Sequence, residues 1–280
     1  MEPDTAVAVY SEIALPALSI LQTLVVLVLV LPAAALLGWR LGRGRRRRRL
    51  AAGQEIDMVV GETTLGAILA ILGLLLAFSF GHALSQFETR KAAMIDEAAA
   101  LGTAFLRADV LDEPGRTELQ QALLAYAETR LPRQDAQTAS PAEVTAFLNR
   151  TLRAQATLWP LTLEATAPPT PAATQSFVAS AVNEVIDMHL YRLAALTEPI
   201  SDFAYSMMLA SALAALFLLG DRAGMLGRAL TWRTFVLSAF LTVVMITIVD
   251  LQRAGSGVIR IDETPLRATI YDMRAALAAR

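Results

Sequence analysis

The chain has 280 residues, 55% of them hydrophobic and only 18% charged, with a positive mean hydropathy; that is too apolar for a soluble domain of this length and indicates a membrane protein. The net charge of −2 conceals an uneven distribution, because Arg40, Arg43 and Arg45 to Arg49 crowd seven of the 24 basic residues into ten positions. The absence of cysteine excludes disulfides, thiolate metal sites and a cysteine nucleophile.

The N-terminus is acidic through Glu2, Asp4 and Glu12 and lacks the basic region that precedes the apolar core of a secretory signal, so no cleavable signal is expected. Residues 16 to 39 form an apolar run of spanning length, with Trp39 as an interfacial anchor and Pro32 as a candidate kink. The arginine cluster that follows must stay out of the hydrocarbon, and the positive-inside rule keeps it in the cytoplasm. Arg40, Arg43, Arg45, Arg46, Arg47, Arg48 and Arg49 therefore read as topology determinants in a solvated loop over 40–58. Arginines in this place also suit anionic lipid headgroups, whereas nucleic-acid binding is not expected.

Residues 63 to 87, TTLGAILAILGLLLAFSFGHALSQF, make the central span. Gly66, Ala70, Gly73, Ala77 and Gly81 fall within one narrow sector of a helix, flanked by Phe80 and Phe87. Ile68, Leu72, Leu75 and Leu76 take the other side. A small-residue wall has two readings, a close helix contact or the lining of a narrow pore with Phe80 at its constriction. Glu88, Arg90 and Lys91 follow at the outer end, where an oligomer would repeat them as charged rings at a pore mouth; otherwise they mark a membrane boundary.

No breaker occurs between Phe87 and Pro114, so the central helix is expected to project past the membrane, with Ile95, Ala98, Gly102, Phe105 and Ala108 at helical spacing. A turn at 112–115, a helix over 115–131, a helix from a Ser140, Pro141, Glu143 capping box to about Trp159 and Pro160, a proline-rich linker and a helix over 172–197 complete residues 88–200 as a helical bundle. Residues 203–220 are the third span, entered through Pro199 with Ser201 or Asp202 as cap, and 234–251 the fourth. Arg222, Arg228 and Arg233 keep the loop between them cytoplasmic, against a mildly basic tail. In that tail Gly255 and Gly257 mark a turn, and Thr264 with Pro265 starts a helix whose Leu266, Ile270, Met273 and Leu277 need a partner surface.

The expected fold is all-α, four transmembrane helices with an extramembrane helical bundle inserted between helices two and three. The corresponding domains are 1–87, with the Arg-rich loop 40–58, an extracytoplasmic bundle 88–200, spans three and four in 201–251, and an extracytoplasmic tail 252–280.

The segments LGLLLAFSFGHALSQFETRKAAMIDEAAALGTAFLRADVL and LQRAGSGVIRIDETPL resemble the bestrophin-like domain family of bacterial four-helix membrane proteins, with Ala254 where that family's tail carries proline. The resemblance implies a bacterial inner-membrane homo-oligomer, pentameric by likeness to bestrophins, which are anion channels whose second membrane helix lines a pore with hydrophobic and aromatic constrictions. Phe78, Phe80 and the small wall look like such a lining. Bestrophins keep the domain between helices two and three in the cytoplasm, whereas the arginine argument places 88–200 and both termini outside it.

His82 reads as a polar interfacial residue, and His189, with Glu184 and Asp187 nearby, does not gather three ligands on one helical face. No cofactor or metal is expected, and no hydrolase, phosphate-loop or dinucleotide motif suggests an enzyme. Two functions follow: an oligomeric ion channel with the second membrane helix at its axis, or a non-conducting sensor or scaffold whose bundle binds a ligand or envelope partner.

Overall fold

The computed structural model describes residues 19–56, 61–131, 141–197, 202–253 and 258–280, which contain eight α-helices and no strand. Helix α1, Ile20–Ala51, starts at a reciprocal capping box: the Ser19 hydroxyl accepts from the Gln22 amide at 3.2 Å, and the Gln22 side chain accepts from the Ser19 amide at 2.8 Å. The arginine run expected in a loop is helical to Ala51. Arginine is a good helix former, no proline interrupts 40–51, and Arg48 and Arg49 in the last turn complement the negative end of the helix dipole.

Helix α2, Glu62–Arg107, is uninterrupted and is followed by a single 3-10 turn, Ala108–Val110. Then come α3, Gly115–Thr129, α4, Pro141–Ala165, and α5, Ala172–Thr197. Helix α4 does not stop near Pro160 as expected. Pro160 and Ala156, the residue whose carbonyl loses its partner, both lie on the exposed face, where water can take the bond. Beyond the proline, the Thr162 and Thr166 hydroxyls donate to the carbonyls of Leu158 and Thr162 at 2.8 and 2.7 Å. The chain ends with α6, Asp202–Met225, α7, Trp232–Gln252, and α8, Thr264–Ala278, which carries Pro in its first turn. The acidic N-terminus, Asp57, Ser140, Pro199, Ser201 and the turn 254–257 lie outside the described residues, as do the side chains of Pro141, Glu143 and Asp202.

The chain divides into two compact units. One holds Pro16–Ser85 with Pro199–Arg253 and so contains α1, the first half of α2, α6 and α7. Helices α1, α2, α6 and α7 each include a stretch long and apolar enough to cross a membrane. Inside this unit α1 and α6 meet backbone to backbone at four glycines. A Cβ added at Gly38 would overlap the Phe217 carbonyl oxygen and lie 2.9 Å from its carbon; one at Gly220 would do the same to Ala35. One at Gly42 would lie 2.8 Å from Asp221 Oδ1, and one at Gly224 would lie 2.6 Å from the Arg43 nitrogen. Two glycine pairs, each spaced by four, thus let the backbones approach where lipid supplies little hydrophobic drive. Gly227, at φ +74°, ends α6 in the left-handed conformation, with the Arg228 amide reaching back to the Ala223 carbonyl at 2.9 Å.

The other unit comprises Gln86–Glu198 and Ala254–Arg280, together with Met1–Leu15. Its core gathers Leu101 and Phe105 of α2, Leu119 and Leu123 of α3, Leu158 of α4, Val178, Val182 and Val185 of α5, and Leu266, Ile270 and Met273 of α8. The tail stripe therefore has its partner surface, held at the rim by Arg274 on Glu128 at 2.7 Å. A Cβ added at Gly102 would meet α8 at ordinary contact distance, 3.6 Å from Thr269 Cγ2.

Candidate functional site

Within the apolar unit, α2 has two unlike faces. Leu65, Leu72, Leu76 and Ala83 are buried in the chain, at 8, 2, 8 and 0% exposure. Gly66, Ala70, Gly73, Ala77, Phe80 and Gly81 are all exposed, and a Cβ built on any of the three glycines meets nothing within 4 Å. The small-residue wall is thus no contact with another helix of the same chain among the described residues. Phe80 is 39% exposed and Phe78 69%. His82 is exposed as well.

The three charges beyond this segment part company. Glu88 and Lys91 are exposed, whereas Arg90 is only 4% exposed and donates from Nε to the Ala195 carbonyl at 3.1 Å. The arginines of α1 also divide. Arg45 pairs with Asp221 at 2.7 Å, and that carboxylate's side chain is only 6% exposed. Arg43 lies 5.2 Å over the Trp39 ring, and the Trp39 indole donates to the Arg228 carbonyl at 2.9 Å. Arg46 and Arg49 are half-buried, while Arg40, Arg47 and Arg48 are exposed.

The bundle unit contains a polar cluster that local sequence did not reveal. Glu97 of α2 is fully buried and takes Arg130, just past α3, at 2.6 Å and Arg192 of α5 at 2.5 Å. The Tyr126 hydroxyl donates to Glu97 Oε1 at 3.0 Å and stands 3.3 Å from His189 Nδ1. Because the phenol's one proton goes to the carboxylate, Nδ1 carries its own proton toward the phenol oxygen, and Nε2 is left buried without a partner among the described residues. Burial alone would raise the Glu97 carboxyl, but the two guanidinium groups outweigh it and hold the group below its ordinary value. Burial pushes Tyr126 up. Burial, reinforced by Arg130, lowers His189 to about 4. No group of three or more His, Cys, Asp or Glu residues is arranged for a metal ion among the described residues.

One pH dependence follows from this cluster. Between the ordinary histidine value of 6.5 and about 4, the unfolded chain binds a proton at His189 that the folded chain does not, so stability is lost as pH falls through that window. The loss is at most about 3 kcal/mol, taking 1.36 kcal/mol per pH unit. Protection of the α3 amides, taken as the ratio of intrinsic to observed exchange rate, is expected to fall from pH 6.5 to 4, and His189→Gln to flatten that dependence; equal slopes for the two proteins would assign it elsewhere.

Comparison with known proteins bears on this architecture. The bestrophin-like domain matches residues 27–266. The chain belongs to the bestrophin-like domain family. This bestrophin-like chain is also similar to the crystal structure of a mutant bacterial bestrophin homologue from Klebsiella pneumoniae. That likeness has a TM-score of 0.60 at 14% identity, and covers 89% of this chain and 97% of the other. At that identity the likeness establishes the fold. No curated protein matches.

Two features escaped the sequence reading of this bestrophin-like protein. The pairs Gly38 with Gly42 and Gly220 with Gly224 both carry a visible glycine spacing of four. Glu97 gave a weaker signal, an acid placed between the core-facing Met94 and Ala98 of an amphipathic stretch.

Proposed function

We propose that copies of this bestrophin-like chain assemble around α2 as a homo-oligomer that conducts small ions, with Gly66, Ala70, Gly73, Ala77 and Gly81 lining a narrow hydrophobic pore and Phe80 at its constriction. The observation that carries this reading is the open small-residue face, about a third of a turn around the helix from the face that α2 buries in its own chain. A pore needs such a wall, because small side chains leave room at the axis while a ring of aromatic or apolar groups gates by excluding water. Glu88 and Lys91 are charges available to its mouth; Arg90 is turned into its own bundle.

In the proposed arrangement the domains are 1–87, 88–200, 201–251 and 252–280, with four spans in a bacterial inner membrane. The bundle and both termini are extracytoplasmic, and the arginine ends of α1 and of the α6–α7 connection are cytoplasmic. Anionic lipids at the arginine cluster of α1 belong to the same reading. The orientation is the inverse of that of bestrophins and rests on charge alone.

The absence of native cysteine makes the assembly directly testable. Ala77→Cys is expected to crosslink between chains in membranes, whereas Leu72→Cys, on the buried face, is not. In proteoliposomes, Phe80→Ala should raise ion flux severalfold and Gly73→Leu should abolish it. Absence of an intermolecular A77C product together with no flux through the wild type would remove the channel and leave the sensor or scaffold.

A further inference from the structure

The arginines of α1 are divided by helix geometry. At 100° per residue, Leu27, Leu31, Ala35, Gly38 and Gly42 share one buried face, and Arg45 continues that face onto Asp221. Directly opposite, Leu29, Ala33, Leu36, Arg40, Arg43 and Arg47 succeed one another in steps of four and three, and all six are exposed. One side of the helix is therefore an apolar strip that changes, within a single turn, to three guanidinium groups spread over about 10 Å of axis. Trp39 stands at the change, fixed by its bond to the Arg228 carbonyl and carrying Arg43 over its ring. Because α1 is a continuous helix to Ala51 and meshes with α6 backbone to backbone, these arginines are displayed on a rigid rod.

We propose that this face is a binding site for one anionic phospholipid, whose acyl chain lies along Leu29, Ala33 and Leu36 while its phosphate sits against Arg40, Arg43 and Arg47. The site names the particular residues that take the lipid partner of the proposed function; it rests on α1 crossing the bilayer and not on conduction. The chemistry is complementary at both ends. A guanidinium fork matches two phosphate oxygens, and it is desolvated more readily than an ammonium group. A soluble polyanion would engage the arginines but leave the apolar strip uncovered. Each basic residue near an anionic headgroup contributes roughly fivefold in affinity, so three acting together amount to on the order of a hundredfold.

Native mass spectrometry of the purified, detergent-solubilised protein, titrated in turn with phosphatidylglycerol, phosphatidylcholine and inorganic phosphate, tests the site. Wild type is expected to retain phosphatidylglycerol in preference to phosphatidylcholine, and R40Q/R43Q/R47Q to lose that preference with tenfold or greater weakening. The control R48Q/R228Q/R233Q removes the same charge and should stay within about twofold of wild type. R40K/R43K/R47K should keep part of the preference, which separates a lost site from a misfolded chain. Equal weakening in both glutamine variants would overturn the proposal in favour of a diffuse field, and so would equal retention of the two lipids by wild type. Inorganic phosphate competing as effectively as the lipid would overturn it in favour of a free-anion site. Loss of flux in proteoliposomes with lipid preference intact would count against the pore alone.

Discussion

Alanine at Gly220 is expected to lower the thermal midpoint of the detergent-solubilised protein by more than any substitution on the open face of α2. The added methyl carbon would overlap the Ala35 carbonyl oxygen and lie 3.0 Å from the Trp39 nitrogen, so both obstacles are backbone. A clash with a flexible side chain relaxes by rotation; this one requires α1 and α6 to move apart. Overpacking ordinarily costs about 1 to 3 kcal/mol, and a backbone obstacle lies at or above the top of that range. Separation would also loosen contacts on either side, among them Gly38 on Phe217 and the burial of Asp221 against Arg45. Gly73→Ala supplies the contrast. Its methyl group meets nothing within 4 Å, and alanine favours a helix over glycine by about 1 kcal/mol, so the single chain should be unharmed or slightly stabilised. Similar midpoints for G220A and G73A, read by differential scanning fluorimetry, would contradict the tight α1–α6 contact.

The second large effect is expected at Glu97. Its carboxylate is the shared partner of Arg130 and Arg192 and the acceptor for Tyr126, so Glu97→Ala leaves two guanidinium groups and a phenol facing a void. Breaking a buried ion pair from one side typically costs about 3 to 5 kcal/mol, because the remaining charge stays desolvated. Glu97→Gln keeps the shape and one acceptor oxygen but removes the charge, and should fall between wild type and alanine. Tyr126→Phe removes only one hydrogen bond and should cost about 1 kcal/mol. The order E97A, E97Q, Y126F in hydrogen-exchange protection of α3 and α5 is the expected result. If E97A were as protected as Y126F, the cluster would not be what holds these helices together.

The two sites differ in how far a linear reading reaches them. The helices, and which of them are long and apolar enough to span, were legible because their signals are local: apolar runs over 63–87 and 234–251, and the stripe Leu266, Ile270, Met273 that finds the bundle core in the tail helix. The small-residue wall of α2 was legible as a pattern, but not its use. Gly66 and Gly73, seven apart, share one helix face as Gly38 and Gly42, four apart, do, yet the first pair is open and the second is in backbone contact. What separates them is the partner, and the partner lies far along the chain. The same holds for Glu97, whose two arginines come from the end of α3 and from α5. The arginine loop was misread for a different reason: charge established that these residues avoid hydrocarbon, but says nothing against a helix.

The join between α1 and α6 also has a consequence in time. Arg45 and Asp221 are 176 positions apart, so the ribosome releases the first half of the seam well before the second. At roughly 5 to 20 residues per second, α1 waits on the order of 10 to 30 s before the glycines of α6 can reach its own. Helices α2 to α5 are synthesised during that interval and α8 only after it, so the α1–α6 seam closes once α3, α4 and α5 have had time to find one another but before the tail helix joins their core.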